Sequence, residues 1–186
     1  MARTIKILIL VVLIFIPFSK AYLATYQYYD GQIRTVEITD PSLVKAVDQA
    51  REDASAAKFH AGEVNFESRK AHAAEAAAKN SGKATPEQLS QLKTIAGHTS
   101  DLSDGANRDD RGAAFAADVA LQKAIRGDLN GANEQAALAA EFRTKASAKL
   151  IGGGDAGLGA RALAEQAVSI TQEIIDTTDT APPITS

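Results

Sequence analysis

Leu43, Val47, Ala50, Ala54, Ala57, Ala61 and Val64 recur at alternating steps of four and three. That spacing lines all seven along one stripe of an α-helix, whereas a strand repeats every two residues. The stripe is a heptad seam with alanine at most of its positions. A methyl side chain lets a second backbone approach closely, so an antiparallel helical neighbour is expected. Asp40 as N-cap and Pro41 at the first helical position open this helix, which runs to about Lys79, where Asn80-Ser81-Gly82 stops it. Phe59 and Phe66 form a second, bulkier patch on the same helix.

Composition alone leaves the fold class open. Beyond residue 21 about a fifth of the chain is alanine, while Leu, Ile, Val and Phe together fall slightly short of about a fifth, close to the disorder boundary. Alanine is the strongest helix former, and the seam spacing decides for helix.

Thr85-Pro86-Glu87-Gln88 is a capping box that opens a second helix, with Leu89, Leu92, Ala96 and Leu102 on its apolar side. The polar stretch from Gly97 to Asp110, holding Gly105 and Asn107, reads as a frayed end and a loop. A third helix from about Asp110 to Arg126 carries Phe115, Val119, Leu121 and Ile125. After a turn at Gly127–Gly131, a fourth bears Leu138, Phe142, Ala146 and Leu150. Gly152-Gly153-Gly154 breaks it, and a last helix carries Ala160, Leu163, Ala167, Ile170 and Ile174. The expected fold is all-α: an alanine-rich bundle of four or five helices over residues 40–178, with a long first helix and a flexible tail at 179–186.

The N-terminus has the grammar of an export signal. Arg3 and Lys6 precede an apolar run from Ile7 to Phe18, and Ser19-Lys20-Ala21 sets small residues for cleavage after Ala21. The alternative is an uncleaved membrane anchor over 5–23, which the clustered Tyr22, Tyr26, Tyr28 and Tyr29 would suit as an interfacial belt. Either way the remainder is expected outside the cytoplasm, secreted or periplasmic. Residues 22–39 are β-rich around Asp30-Gly31 and read as an extended or hairpin segment. A lone hairpin is marginal in water, so this one must lean on the helices, pair with a partner or stay extended.

Charge and cysteine usage exclude several function classes. The formal net charge is -3, with no basic excess to grip a phosphate backbone, so nucleic acid is not an expected partner. Residues 1–21 hold Arg3, Lys6, Lys20 and no acid, which makes the rest more negative still. Zero cysteines exclude a disulfide scaffold, a thiolate zinc site, a Cys nucleophile and a lipid-modified Cys.

Three constellations could carry chemistry. His60, Glu63 and Glu67 share a helix face at steps of three and four, the arrangement of an imidazole–carboxylate metal site, and His72 and Glu75 repeat the pairing at a rotated position. The more ordinary reading is a solvated helix face. Gly152-Gly153-Gly154-Asp155-Ala156-Gly157, with Asp176 about twenty residues on, resembles the dinucleotide-binding fingerprint of flavin and nicotinamide enzymes, which implies a pyrophosphate at a helix N-terminus and an acid on the ribose. A strand should precede such glycines. Residues 142–149 read as helix instead, which makes the run a helix C-cap and hinge. Arg108-Asp109-Asp110-Arg111 reads as a solvated loop and first helical turn. Ser, His and Asp are all present, but there is no G-x-S-x-G elbow for a hydrolase.

Thr85-Pro86-Glu87-Gln88 is similar to the T-x-x-Q element of periplasmic helical stress chaperones, with Ala84 where their Leu would stand. The gross plan looks like minor pilus subunits of bacterial conjugation systems. A capping box is generic and no motif supports the second likeness, so neither assigns a family. The expected role is an exported, non-enzymatic structural, scaffolding or protein-interaction component without a cofactor, binding a protein partner or associating with itself through the alanine seams and the tyrosine-rich segment. The alternatives are a metal-binding module at His60/Glu63/Glu67 and, more remotely, a nucleotide-binding protein at Gly152–Gly157.

Overall fold

A computed structural model describes residues 22–27, 32–153 and 157–177. Among them are a hairpin, β1 (Tyr22–Gln27) and β2 (Ile33–Ile38), and four helices: α1 (Pro41–Ser81), α2 (Pro86–Ile125), α3 (Leu129–Ile151) and α4 (Ala160–Asp176). The fold is the expected all-α bundle with a long first helix. The expected export signal, the expected Asp30-Gly31 turn and the expected tail fall on residues outside the described ones, the tail from residue 178.

The chain runs up, down and up again. On the second upward pass α3 packs beside the first half of α1 and α4 beside the second. Side-chain bonds fix the directions. Asn65 meets Asn107, and His72 meets Ser100, so α1 and α2 are antiparallel. Asp53 meets Arg143 and Ala57 packs with Ala146, while Glu67 meets Arg161 and the Ala74 carbonyl accepts from Thr171, so α3 and α4 both run parallel to α1. The third helix of a bundle about 60 Å long, at 1.5 Å per residue, is thus interrupted by the 152–159 segment.

The α1 seam is the interior. Leu43, Val47, Ala50, Ala57, Ala61 and Val64 are all buried, and Ala54 is half-buried. Ala50 packs with Ala116, Ala117, Ala120, Ala136 and Ala139, and Ala57 with Ala113 and Ala146. In these layers the core is alanine from three helices. Larger apolar residues cluster at the two ends: Ile38, Leu43, Val47 and Leu121 at one, Leu92, Ile95, Leu163 and Ile174 at the other. Of the outcomes open to the hairpin, the structure takes the first: buried Ile38 docks it on the end of the bundle.

Ala57→Leu is expected to lower stability by about 1–3 kcal/mol, because the layer has no space for three more carbons. Calorimetry should show a melting temperature lower by roughly 3–10 °C. Ala73→Leu, at an exposed position of the same helix, should leave it unchanged. An equally stable Ala57→Leu protein would mean that the alanine layers are not closely packed.

The expected loop between Gly97 and Asp110 does not exist. α2 is continuous through it because the polar residues are used between helices. The Ser103 hydroxyl donates to Asn65 Oδ1, and the Asn65 and Asn107 amides exchange bonds at 3.1 and 3.2 Å. Gly105 is buried beneath Lys149, where an added Cβ would meet Lys149 Cε at 2.5 Å. Of the apolar residues expected on the third helix, Phe115 and Ile125 are exposed and Leu121 is buried, and Ala113, Ala116, Ala117 and Ala120 take the interior. Phe142 packs on Gly112, filling the space a side chain there would need.

An alanine core supplies little shape to define how helices slide past one another. Buried acids paired with bases on the third pass do this instead. Asp53 on α1 accepts from Arg143 at 2.8 Å, Asp109 on α2 from Lys149 at 2.5 Å, and Glu67 on α1 lies 3.8 Å from Arg161. Each acid is almost fully enclosed, so a slip of one residue would strand a charge.

Candidate functional site

The glycine-rich joint borders two clefts, one lined in part by Ile151 and Gly152 and the other by Leu158. α3 enters it as a helix and ends when Gly152 turns to φ 90, its N–H donating to the Ala148 carbonyl at 2.8 Å. Gly153 follows at φ 119, and its N–H donates to the Gly157 carbonyl at 3.1 Å. Such angles favour glycine. The chain then crosses itself. A Cβ on Gly159 would fall 2.5 Å from both the Ile151 carbonyl carbon and the Leu150 oxygen, and closer still to the Gly152 nitrogen. The glycines therefore serve a backbone crossing between two helices. The strand that the dinucleotide fingerprint requires is replaced by α3. Asp176 sits at the far end of α4, about 24 Å from its start by helical rise, and accepts from Gln172 at 2.8 Å. Gly154, Asp155 and Ala156 lie outside the described residues.

One cleft, of about 390 Å³, lies between α1 and α3 below the joint. Its lining includes His60 and Ala56 from α1 and Arg143, Thr144, Ser147, Ala148 and Ile151 from α3. Asp53, 1% exposed, holds the Arg143 guanidinium, and Gln49 donates to the other Asp53 oxygen at 3.0 Å. The His60 Nδ1 is enclosed with no hydrogen-bond partner among the described residues, and its ring stands edge-on to Phe59. A second cleft, of about 430 Å³, lies between α2 and the start of α4. Leu102, Leu158 and Leu163 give it an apolar wall, with His98 and Asp101 beside them.

The residues of the sequence-expected metal face separate in space. Arg161 approaches Glu63 at 3.9 Å and Glu67 at 3.8 Å, and Lys70 lies 3.5 Å from Glu67, while His60 turns to the α3 cleft. His72 is exposed, its Nδ1 3.6 Å from Glu75 and its Nε2 2.9 Å from the Ser100 hydroxyl. Among the described residues no group of three His, Cys, Asp or Glu is placed to hold a metal. Arg108-Asp109-Asp110-Arg111 is mid-helix rather than loop, and Asp109 points inward to Lys149.

Arg143 and Ser147 were not singled out by the sequence. Their i, i+4 spacing on α3 is common to any helix, and only the packing of α3 beside His60 gives it meaning. Two carboxyls elsewhere on the bundle titrate away from their usual range. Burial raises the Asp118 carboxyl above its usual range, against the pull of Arg51. Asp128 is lowered by its hydrogen bond from Lys123 and then by the Gly131 N–H that it caps at the start of α3. No described helix is long and apolar enough to cross a membrane. Neither the protein-family comparison nor those with curated proteins and solved structures give a match.

Proposed function

We propose that this chain is an exported, non-enzymatic helical protein that binds a protein partner through the outward faces of α1 and α2. One observation carries the reading. Of the four phenylalanines beyond residue 21, Phe59, Phe66 and Phe115 are 64%, 61% and 69% exposed, while alanine fills the core. A chain short of large apolar residues forgoes burial by leaving them outside, since a buried phenylalanine contributes about 1.5–3 kcal/mol. Exposed aromatics of this kind are the usual anchors of protein interfaces. Phe59 and Phe66 stand two turns apart on one face of α1, with Gly62 between them and nothing within 4 Å of where its Cβ would lie. The alanine seam is occupied internally by α2 and α3, which moves the expected contact surface from the seam to this face.

The supporting sequence argument for export is the 1–21 signal. N-terminal sequencing of exported protein should begin at Tyr22; intact Met1 in a carbonate-resistant membrane fraction would favour the anchor instead. For binding, the exported chain is crosslinked in place and compared with Phe59→Ser/Phe66→Ser. The parent should yield a discrete crosslinked species that the variant loses while keeping its helical circular dichroism and melting temperature. Identical species from both proteins would remove α1 from the interface.

A further inference from the structure

The α1–α3 cleft carries chemistry that folding does not use. Arg143 spends one donor on Asp53 at 2.8 Å, and a guanidinium has five. Because that carboxylate is itself enclosed and bonded to Gln49, the fork is held in one place beside the cleft. The Ser147 hydroxyl lines the same space one helical turn on, and the Thr144 hydroxyl, which donates to the Ala140 carbonyl at 2.9 Å, keeps its lone pairs. Opposite them on α1 stands His60, part of whose ring lines the cleft while its Nδ1 is sealed from it. Ala56, Ala148 and Ile151 complete the lining with apolar surface.

We propose that this cleft is a binding site for a small monocarboxylate with an apolar body. The planar fork of Arg143 matches a carboxylate, Ser147 donates a further hydrogen bond, and His60 closes the polar end. A single negative charge fits better than two, because Asp53 already balances much of the guanidinium charge and would repel a phosphate dianion. The apolar body lies against Ala56, Ala148 and Ile151. A volume of about 390 Å³ suits a molecule of benzoate size, at the small end of ligand pockets. The proposal does not rest on the partner-binding reading, although the His60 ring touches Phe59 of that face.

Proton NMR of the full exported chain tests this directly, because it has three histidines. His72 lies exposed elsewhere, and His98 lines the other cleft, so both act as internal references. Benzoate and butyrate are titrated to about 10 mM, a range that covers binding of about -3 kcal/mol or tighter. The His60 ring signals should shift and saturate while the other two stay fixed. Inorganic phosphate and benzamidine at the same concentration should leave His60 unmoved. Arg143→Lys should weaken benzoate at least about tenfold, since an ammonium loses the paired geometry. Ser147→Ala, which removes one hydroxyl from a half-buried position, should weaken it less, with the circular dichroism unchanged. Failure of both carboxylates to give a saturable His60 shift would overturn the proposal. So would equal shifts of all three histidines, tighter binding of phosphate than of benzoate, or benzoate affinity unaltered in both variants.

Discussion

Gly159→Ala is expected to destabilise the protein by about 3–5 kcal/mol, at the severe end for a single substitution. The new Cβ would meet the Leu150 oxygen and the Ile151 carbonyl carbon at 2.5 Å, and the Gly152 nitrogen. All three are backbone atoms of the last turn of α3 and its cap, so no rotamer change relieves the overlap. The joint must open, and α4 must lift from its seat to allow it. Hydrogen exchange should therefore show protection lost across 160–176 while 41–61 stays protected. Gly153→Ala makes the comparison specific. Unlike Gly159, at φ -73°, it has a positive φ of 119°, but open space surrounds it, so its cost should be the smaller one, about 1–3 kcal/mol of backbone strain. Equal stability of Gly159→Ala and the parent would show that the two segments do not cross in contact.

Arg143→Met should cost about 2–4 kcal/mol by urea unfolding. It leaves Asp53, 1% exposed, with only the Gln49 amide. Removing one member of a buried pair typically costs 3–5 kcal/mol, and the value here is reduced because the Arg143 side chain is itself 46% exposed. The direction of removal matters. In Asp53→Asn the guanidinium can swing into water, so the loss should be smaller than in Arg143→Met. Asp53→Leu/Arg143→Met, which buries no charge, should recover part of the loss. A double variant weaker than Arg143→Met alone would show that the pair is not what fixes α3 against α1.

Local signals in the sequence were good guides to the long helices. Asp40-Pro41 and Thr85–Gln88 start α1 and α2 with the expected caps, the latter with both capping-box bonds formed. The seam from Leu43 to Val64 marks the interior because alternating steps of four and three have one geometric meaning on a helix. What failed depended on distant partners. The polar residues of 97–110 looked like a loop because Asn65, which receives Asn107, lies 42 positions earlier. Lys149, which receives Asp109, lies 40 positions later. Hydrophobicity alone does not show that Phe115 stands outside; the interior beside it is spaced for the methyl groups of Ala113, Ala116 and Ala117. At the candidate sites, the shared face of His60, Glu63 and Glu67 was readable, but Arg161, which approaches both acids, is far along the chain. The glycine run announced a helix stop, whereas its self-crossing depends on Gly159 returning against Leu150, Ile151 and Gly152.

The interrupted third helix gives the bundle unequal resistance to tension. α1 and α2 run the full length and are clamped along most of it, so a pull along their axes loads many contacts at once. α4 has 17 residues and is moored by Leu163, Ala164, Ala167 and Ile174, the Thr171 hydroxyl on the Ala74 carbonyl, and the Arg161 pairs. Force applied at its C-terminal end meets these moorings one turn at a time, and the joint stops the tear from passing into α3. A partner attached there would hang from a short compliant tether on a stiff strut. Strain would be absorbed by peeling and re-docking of α4 while the alanine layers stay closed.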